Sequence, residues 1–179
     1  AKVSHGEMQA LAAVFKPHAF DANEFVRLAQ TAGMKHIVIT AKYHDGFAMW
    51  PSEWDTFNLK DASRFDRDVL KELADACRKA GIHLGFYYSQ AQEWYTPGGF
   101  NVRYHAFGAY PEESDRSTRR RYPEPDIAPF DLTRNYLENK SKPQLVELME
   151  RYNPEIIWFD VPTEINIIDS LELLVLMLE

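Results

Sequence analysis

The residues of this chain best suited to chemistry close an apolar run. In "NPEIIWFD" the bulky residues Ile156 to Phe159 are built for burial, yet the run ends on Asp160. A carboxylate leaving a buried strand caps a helix, pairs with a cation, or reacts. Strand side chains alternate, so Trp158 and Asp160 share a face. An acid beside an indole suits a sugar ring, with apolar contact below and attack at the anomeric carbon. A retaining glycosidase needs such an acid as nucleophile and a second carboxyl about 5 Å away as acid/base. Read from spacing alone, nucleophile and structural N-cap or ion-pair partner remain equal alternatives for Asp160.

Two further stretches carry functional groups in the same relation to an apolar run. "TAKYHDGFAMWPS" places His44 and Asp45 after "KHIVIT". A histidine there can hydrogen-bond hydroxyls, hold a metal or move protons. Adjacent strand residues point oppositely, so His44 and Asp45 do not make a metal pair, and no metal is expected. Trp50 and Trp54 either line a subsite or cover a rim, and the rim reading is preferred. "GFYYSQAQEW" follows the next run. Alternation pairs Tyr87 with Ser89 and Tyr88 with Gln90, so one tyrosine faces the site and the other the helices. Glu93 is a second carboxylate, in a loop, and is read as a positioning or surface residue.

The elements that must position these groups repeat in kind. "DANEFVRLAQTAG" reads as a helix with Asp21 as N-cap, Glu24 at capping-box spacing and Gly33 as the stop. Phe25, Leu28, Ala29 and Ala32 mark its apolar face. "DRDVLKELADACRKAG" repeats the pattern with Val69, Leu70, Leu73, Ala76 and Cys77, ending at Gly81. "SKPQLVELMERYN" is the third helix, and a fourth follows Asp160. Helices alternating with short apolar strands imply a parallel α/β sheet covered on both faces. The strands are expected near residues 36–40, 82–88 and 155–159. No strand end carries a glycine-rich dinucleotide or P-loop turn. Acids, amides, a histidine and aromatics at successive strand ends point instead to a (β/α)₈ barrel. A complete barrel needs about 250 residues. At 179 residues, this chain reads as roughly half of one, a single partial domain spanning 1–179.

Residues 95–141 read as a long irregular loop on the active-site face, rich in Pro, Arg and acids. Its Arg119–Arg121 cluster is flanked by acids and is better explained as solvated surface than as a phosphate site. A net charge of −7 argues against a general nucleic-acid surface. No run approaches the ~20 apolar residues needed for a membrane span. The lone Cys77 permits no intrachain disulfide. The apolar end "SLELLVLMLE" and the start at Ala1 lead us to expect truncation at both ends. Open sheet edges and that apolar helix would then favour self-association.

Together, "FDANEFVRLAQTAGMKHIVITAKYHDGFAMWPS", "DRDVLKELADACRKAGIHLGFYYSQAQEW" and "NPEIIWFD" resemble the α-L-fucosidase family of retaining glycoside hydrolases. The resemblance implies a (β/α)₈ catalytic domain, no cofactor and no metal, acting on terminal α-linked L-fucose of glycans through a covalent fucosyl-aspartate. It makes Asp160 the nucleophile. Trp158 would pack on the sugar ring and methyl group, His44 would bond its hydroxyls, and Tyr87 would line the pocket. The family usually has two histidines in "KHHDGF", and Tyr43 stands at the first of them. The resemblance places a further sugar-binding histidine before Ala1 and the acid/base beyond Glu179. It also implies a secreted, periplasmic or lysosomal setting; oligomeric state is not readable. Two other readings remain: a carbohydrate-binding half-barrel without hydrolysis, and a barrel glycosidase for another sugar.

Overall fold

The computed structural model describes residues 5–96, 134–160 and 165–178. The Arg119–Arg121 cluster lies outside them. Helix α1 (His5–Val14) leads into α2 (Ala22–Thr31), β1 (His36–Lys42), α3 (Val69–Ala80) and β2 (His83–Tyr88). A π-helical turn (Leu137–Ser141) runs into α4 (Lys142–Tyr152), then β3 (Ile156–Phe159) and α5 (Ile167–Leu178). The loop expected over 95–141 is therefore too long at its C-terminal end: residues 134–141 are helical, and 97–133 lie outside the described residues.

The three strands form one parallel sheet in the order β1-β2-β3, at the places the sequence indicates. Gly85 lies between Val38 and Ile156 in register. A Cβ there would come within 2.8 Å of the Ile156 Cβ, so the close approach of the strands requires glycine. The opposite face of the sheet carries the core. Leu84, Phe86 and Tyr88 from β2 join Leu70, Leu73 and Cys77 of α3 and Leu145, Leu148 and Tyr152 of α4, all buried.

Helix ends follow local chemistry. Asp21 accepts the Glu24 N–H at 3.0 Å and Asp68 caps α3 through Lys71 N. The box at Asp21 is half closed, because the Glu24 carboxylate turns to Arg27. Gly81 ends α3 with φ 67° and Asn153 ends α4 with φ 48°, both left-handed stops. The expected stripe on α3 is buried. On α2 the expectation is corrected: Ala22, Val26 and Ala29 are buried, whereas Phe25 and Leu28 are exposed. That helix has two apolar stripes, and its small-residue stripe packs closely.

One irregularity governs the site. Thr40 pairs with Tyr87 but Lys42 pairs with Tyr88, so Ala41 is an extra residue. Such a bulge reverses the in-out phase beyond it. Ala41 and Lys42 are both buried, and the Lys42 ammonium lies 4.4 Å from the Tyr88 ring centroid on the helix side. Without the bulge, Lys42 would continue the row of Val38 and Thr40.

Candidate active site

Past the bulge, β1 ends in a tight turn. Gly46 N–H donates to the Tyr43 carbonyl at 3.0 Å, leaving His44 and Asp45 as the central residues. Asp45 Oδ1 caps Phe47 N–H at 2.9 Å, and Asp45 lines an apolar groove together with Met8, Leu11 and Phe47. Burial raises the Asp45 pKa. Gly46 has φ 84°, and a Cβ on it would stand 2.6 Å from Glu93 Oε1. No other residue fits there without displacing Glu93.

The structure brings Tyr43, His44, Tyr87, Trp158 and Asp160 together at the carboxyl ends of the three strands. Tyr87 and Trp158 are register partners, and their rings meet edge-on at 6.3 Å. The Tyr87 hydroxyl donates to Asp160 Oδ2 at 2.5 Å. His44 Nε2 lies 3.3 Å from the same oxygen. Tyr43 lies against His44 at 4.1 Å and reaches Tyr87 at 5.6 Å. The Asp160 side chain is 33% exposed and Trp158 58%. A separate groove of ≈ 660 Å³ near Trp54 and Arg151 shares none of these residues.

His44 is itself buried and held from behind, with Nδ1 2.9 Å from Ser89 Oγ. Burial lowers its pKa, opposed chiefly by the Asp160 charge. The imidazole is therefore neutral near pH 7. Ser89 Oγ–H donates to the Gln92 carbonyl at 2.7 Å, so the hydroxyl oxygen is left to accept from His44 Nδ1–H.

Three expectations are corrected. Glu93 is not at the surface: it is 1% exposed beneath the β1 turn. Lys42 meets it at 2.7 Å and Lys140 at 2.6 Å, and the Tyr136 hydroxyl donates to it at 2.7 Å. Burial works against its charge, but the two ammonium groups outweigh that and hold its pKa down at about 2. Lys140 also pairs with Asp55, so two cations face two anions. Trp50 is neither subsite nor rim. It is fully buried, donating Nε1–H to Glu147 at 2.7 Å. Gln90 does not follow Tyr88 to the helices. β2 ends at Tyr88, the chain turns, and the Gln90 side chain reaches Asp160. Lys42, Lys140 and Tyr136 escape sequence reading, because a bulge and a contact 94 residues distant bring them together. The Lys in "AKYHDGF", deep in an apolar strand, was the available signal.

Among the described residues, no group of His, Cys, Asp and Glu is placed to hold a metal, and no helix is long and apolar enough to cross a membrane.

The family described as Alpha-L-fucosidase matches residues 4–174. The chain belongs to the α-L-fucosidase family. A putative α-L-fucosidase of Caenorhabditis elegans is 31% identical over 155 residues, covering 82% of this chain and 25% of its own. Among solved structures, α-L-fucosidase AlfC from Lactobacillus casei, in complex with α-L-fucose product, superposes with TM-score 0.81 at 35% identity. That match covers 98% of this chain and 53% of the other. The α-L-fucosidase from Vibrio sp. strain EJY3 follows with TM-score 0.76 and 31% identity, over 98% and 28%. This chain therefore spans about a quarter of that curated family member and about half of the L. casei chain.

Proposed function

We propose that this chain is part of the (β/α)₈ catalytic barrel of a retaining α-L-fucosidase, with Asp160 as nucleophile. The observation that carries this is the Asp160 carboxylate at the strand ends, one-third exposed and engaged by Tyr87 and His44 beside the Trp158 indole. Family membership and the L. casei product complex favour fucose as the sugar.

In this reading an Asp160 carboxylate oxygen attacks the anomeric carbon of a terminal α-L-fucoside. The glycosidic C–O bond breaks, and its oxygen takes a proton from the acid/base. A water then gives a proton to that same group and opens the fucosyl ester, regenerating the carboxylate. Trp158 offers an apolar face to the ring and methyl group. Neutral His44 and the Tyr43 hydroxyl serve sugar hydroxyls, while Tyr87 orients the carboxylate. Glu93, held ionised at about pH 2 and above by two lysines, is unsuited to give a proton. Asp45 lines the apolar groove instead. The acid/base is assigned to chain outside the described residues.

The test uses the full-length protein. Asp160→Gly should nearly abolish hydrolysis of an aryl α-L-fucoside while the protein melts as wild type. Azide, entering the vacated space, should restore turnover and yield fucosyl azide of inverted configuration. A variant keeping more than about a tenth of the rate, a barrier change under ~1.4 kcal/mol, would remove the nucleophile assignment.

A further inference from the structure

The backbone of Asp160 is gripped by a side chain that the chemistry above does not use. Gln90 Nε2–H donates to the Asp160 carbonyl at 2.5 Å, and Asp160 N–H donates to Gln90 Oε1 at 3.0 Å. The last backbone pair of β2 and β3 is Tyr88 with Phe159. One residue further, Ser89 N–H donates to the Lys42 carbonyl on the other side, and the β2–β3 pairing has ended. A carboxamide presents one N–H and one C=O much as a peptide group does. Gln90 supplies the next rung with its side chain.

Gln90 is anchored in turn. It is 2% exposed, and its own carbonyl accepts the Ser141 hydroxyl at 2.7 Å. Ser141 closes the π-helical turn, an element often associated with functional sites. Its neighbour Lys140 is fastened to Glu93. The grip therefore runs from the buried charge cluster, through the π-turn and Gln90, to the Cα that carries the carboxylate.

We propose that Gln90 is the positioning residue of the reaction. It extends the sheet by one side-chain rung and fixes the backbone from which Asp160 reaches Tyr87, His44 and the anomeric carbon. This rests on Asp160 being the nucleophile. A reacting group misplaced by about 1 Å can cost about a hundredfold in rate, and a residue just beyond the last rung is where such slack arises.

The experiment is a double-mutant cycle in the full-length enzyme with an aryl α-L-fucoside. Gln90→Ala should lower kcat by at least about tenfold with KM nearly unchanged, through loss of attack geometry. In the Asp160→Gly background, the azide-rescued rate should change less than about twofold on adding Gln90→Ala, because no carboxylate remains to be aimed. A wild-type kcat in Gln90→Ala, or an equal loss in the azide-rescued background, overturns the proposal. If Gln90→Ala does not fold, Gln90→Met, which fills the space without the hydrogen bonds, takes its place. Unfolding of that variant too would show a purely structural rung and overturn the proposal. Failure of the nucleophile reading shows separately, in Asp160→Gly alone: substantial activity without azide, or no fucosyl azide with it.

Discussion

Asp160 follows β3 directly and Glu93 lies in the loop after β2; both accept a tyrosine hydroxyl, yet their surroundings are opposite. The Asp160 side chain is one-third exposed, and it lies beside a histidine that burial keeps neutral. Glu93 is wholly enclosed, and its oxygens face two lysines and a tyrosine. A carboxylate so saturated has no approach for a substrate and a pKa far too low for a general acid. Its work is cohesion, tying the β1 turn to the π-helical turn. A carboxylate five residues past β2 and one directly past β3 are equally visible in sequence. What separates them is their surroundings in the fold: Lys42 and Lys140 close over Glu93, while Asp160 keeps a one-third exposed side chain beside a neutral His44.

The sharpest way to break this contrast is to neutralise each acid. Asp160→Asn should cut kcat/KM on an aryl α-L-fucoside by about a thousandfold or more, ~4 kcal/mol, with an unchanged melting temperature. The second effect in size falls on Glu93. Glu93→Ala leaves buried lysines uncompensated and should cost about 3–5 kcal/mol in denaturant unfolding. If Glu93→Ala melted as wild type while activity collapsed, the division between reactive and cohesive acid would be wrong.

Acid should separate the two regions again. The pKa of Glu93 is depressed to about 2, so the folded state sheds its proton more readily than the unfolded chain. Its stabilisation is present above the ordinary carboxylate range and is lost as pH falls toward 2. His44 has a lowered pKa, so the unfolded chain binds its proton more tightly. That term costs stability as pH falls below 6.5, the ordinary value for histidine. Unfolding titrations should show the histidine loss first, and Glu93→Gln should remove only the more acidic part. Because Asp160 opposes the lowering, Asp160→Asn should move the His44 titration to still lower pH, read by NMR of the imidazole.

The smallest effect is expected at Tyr43. Its ring is about half exposed and leans on His44. Tyr43→His should alter aryl fucoside turnover by less than about tenfold, the scale of one hydrogen bond to a sugar hydroxyl. A larger change would make Tyr43 a specificity residue on a par with Tyr87.

Much of this was legible in the chain itself. Hydrophobic periodicity and helix stops located α2, α3 and the three strands, because period and capping are local properties. Alternation placed Trp158 and Asp160 on one side, and motif resemblance singled out His44 and Tyr87. Other features were decided only by tertiary structure. The extra residue at Ala41, which breaks alternation, buries Lys42 and turns Tyr43 toward the site, is defined only against β2. Which stripe of α2 is covered depends on the neighbour it meets. Glu93 became a buried anion because Lys140 and Tyr136 arrive from more than forty residues away. Gln90 came to Asp160 because its side chain reaches across beyond the last paired rung, Tyr88 with Phe159. Periodicity is written in near neighbours along the chain; charge compensation and strand register depend on which distant segment lies alongside, and only the folded molecule sets that.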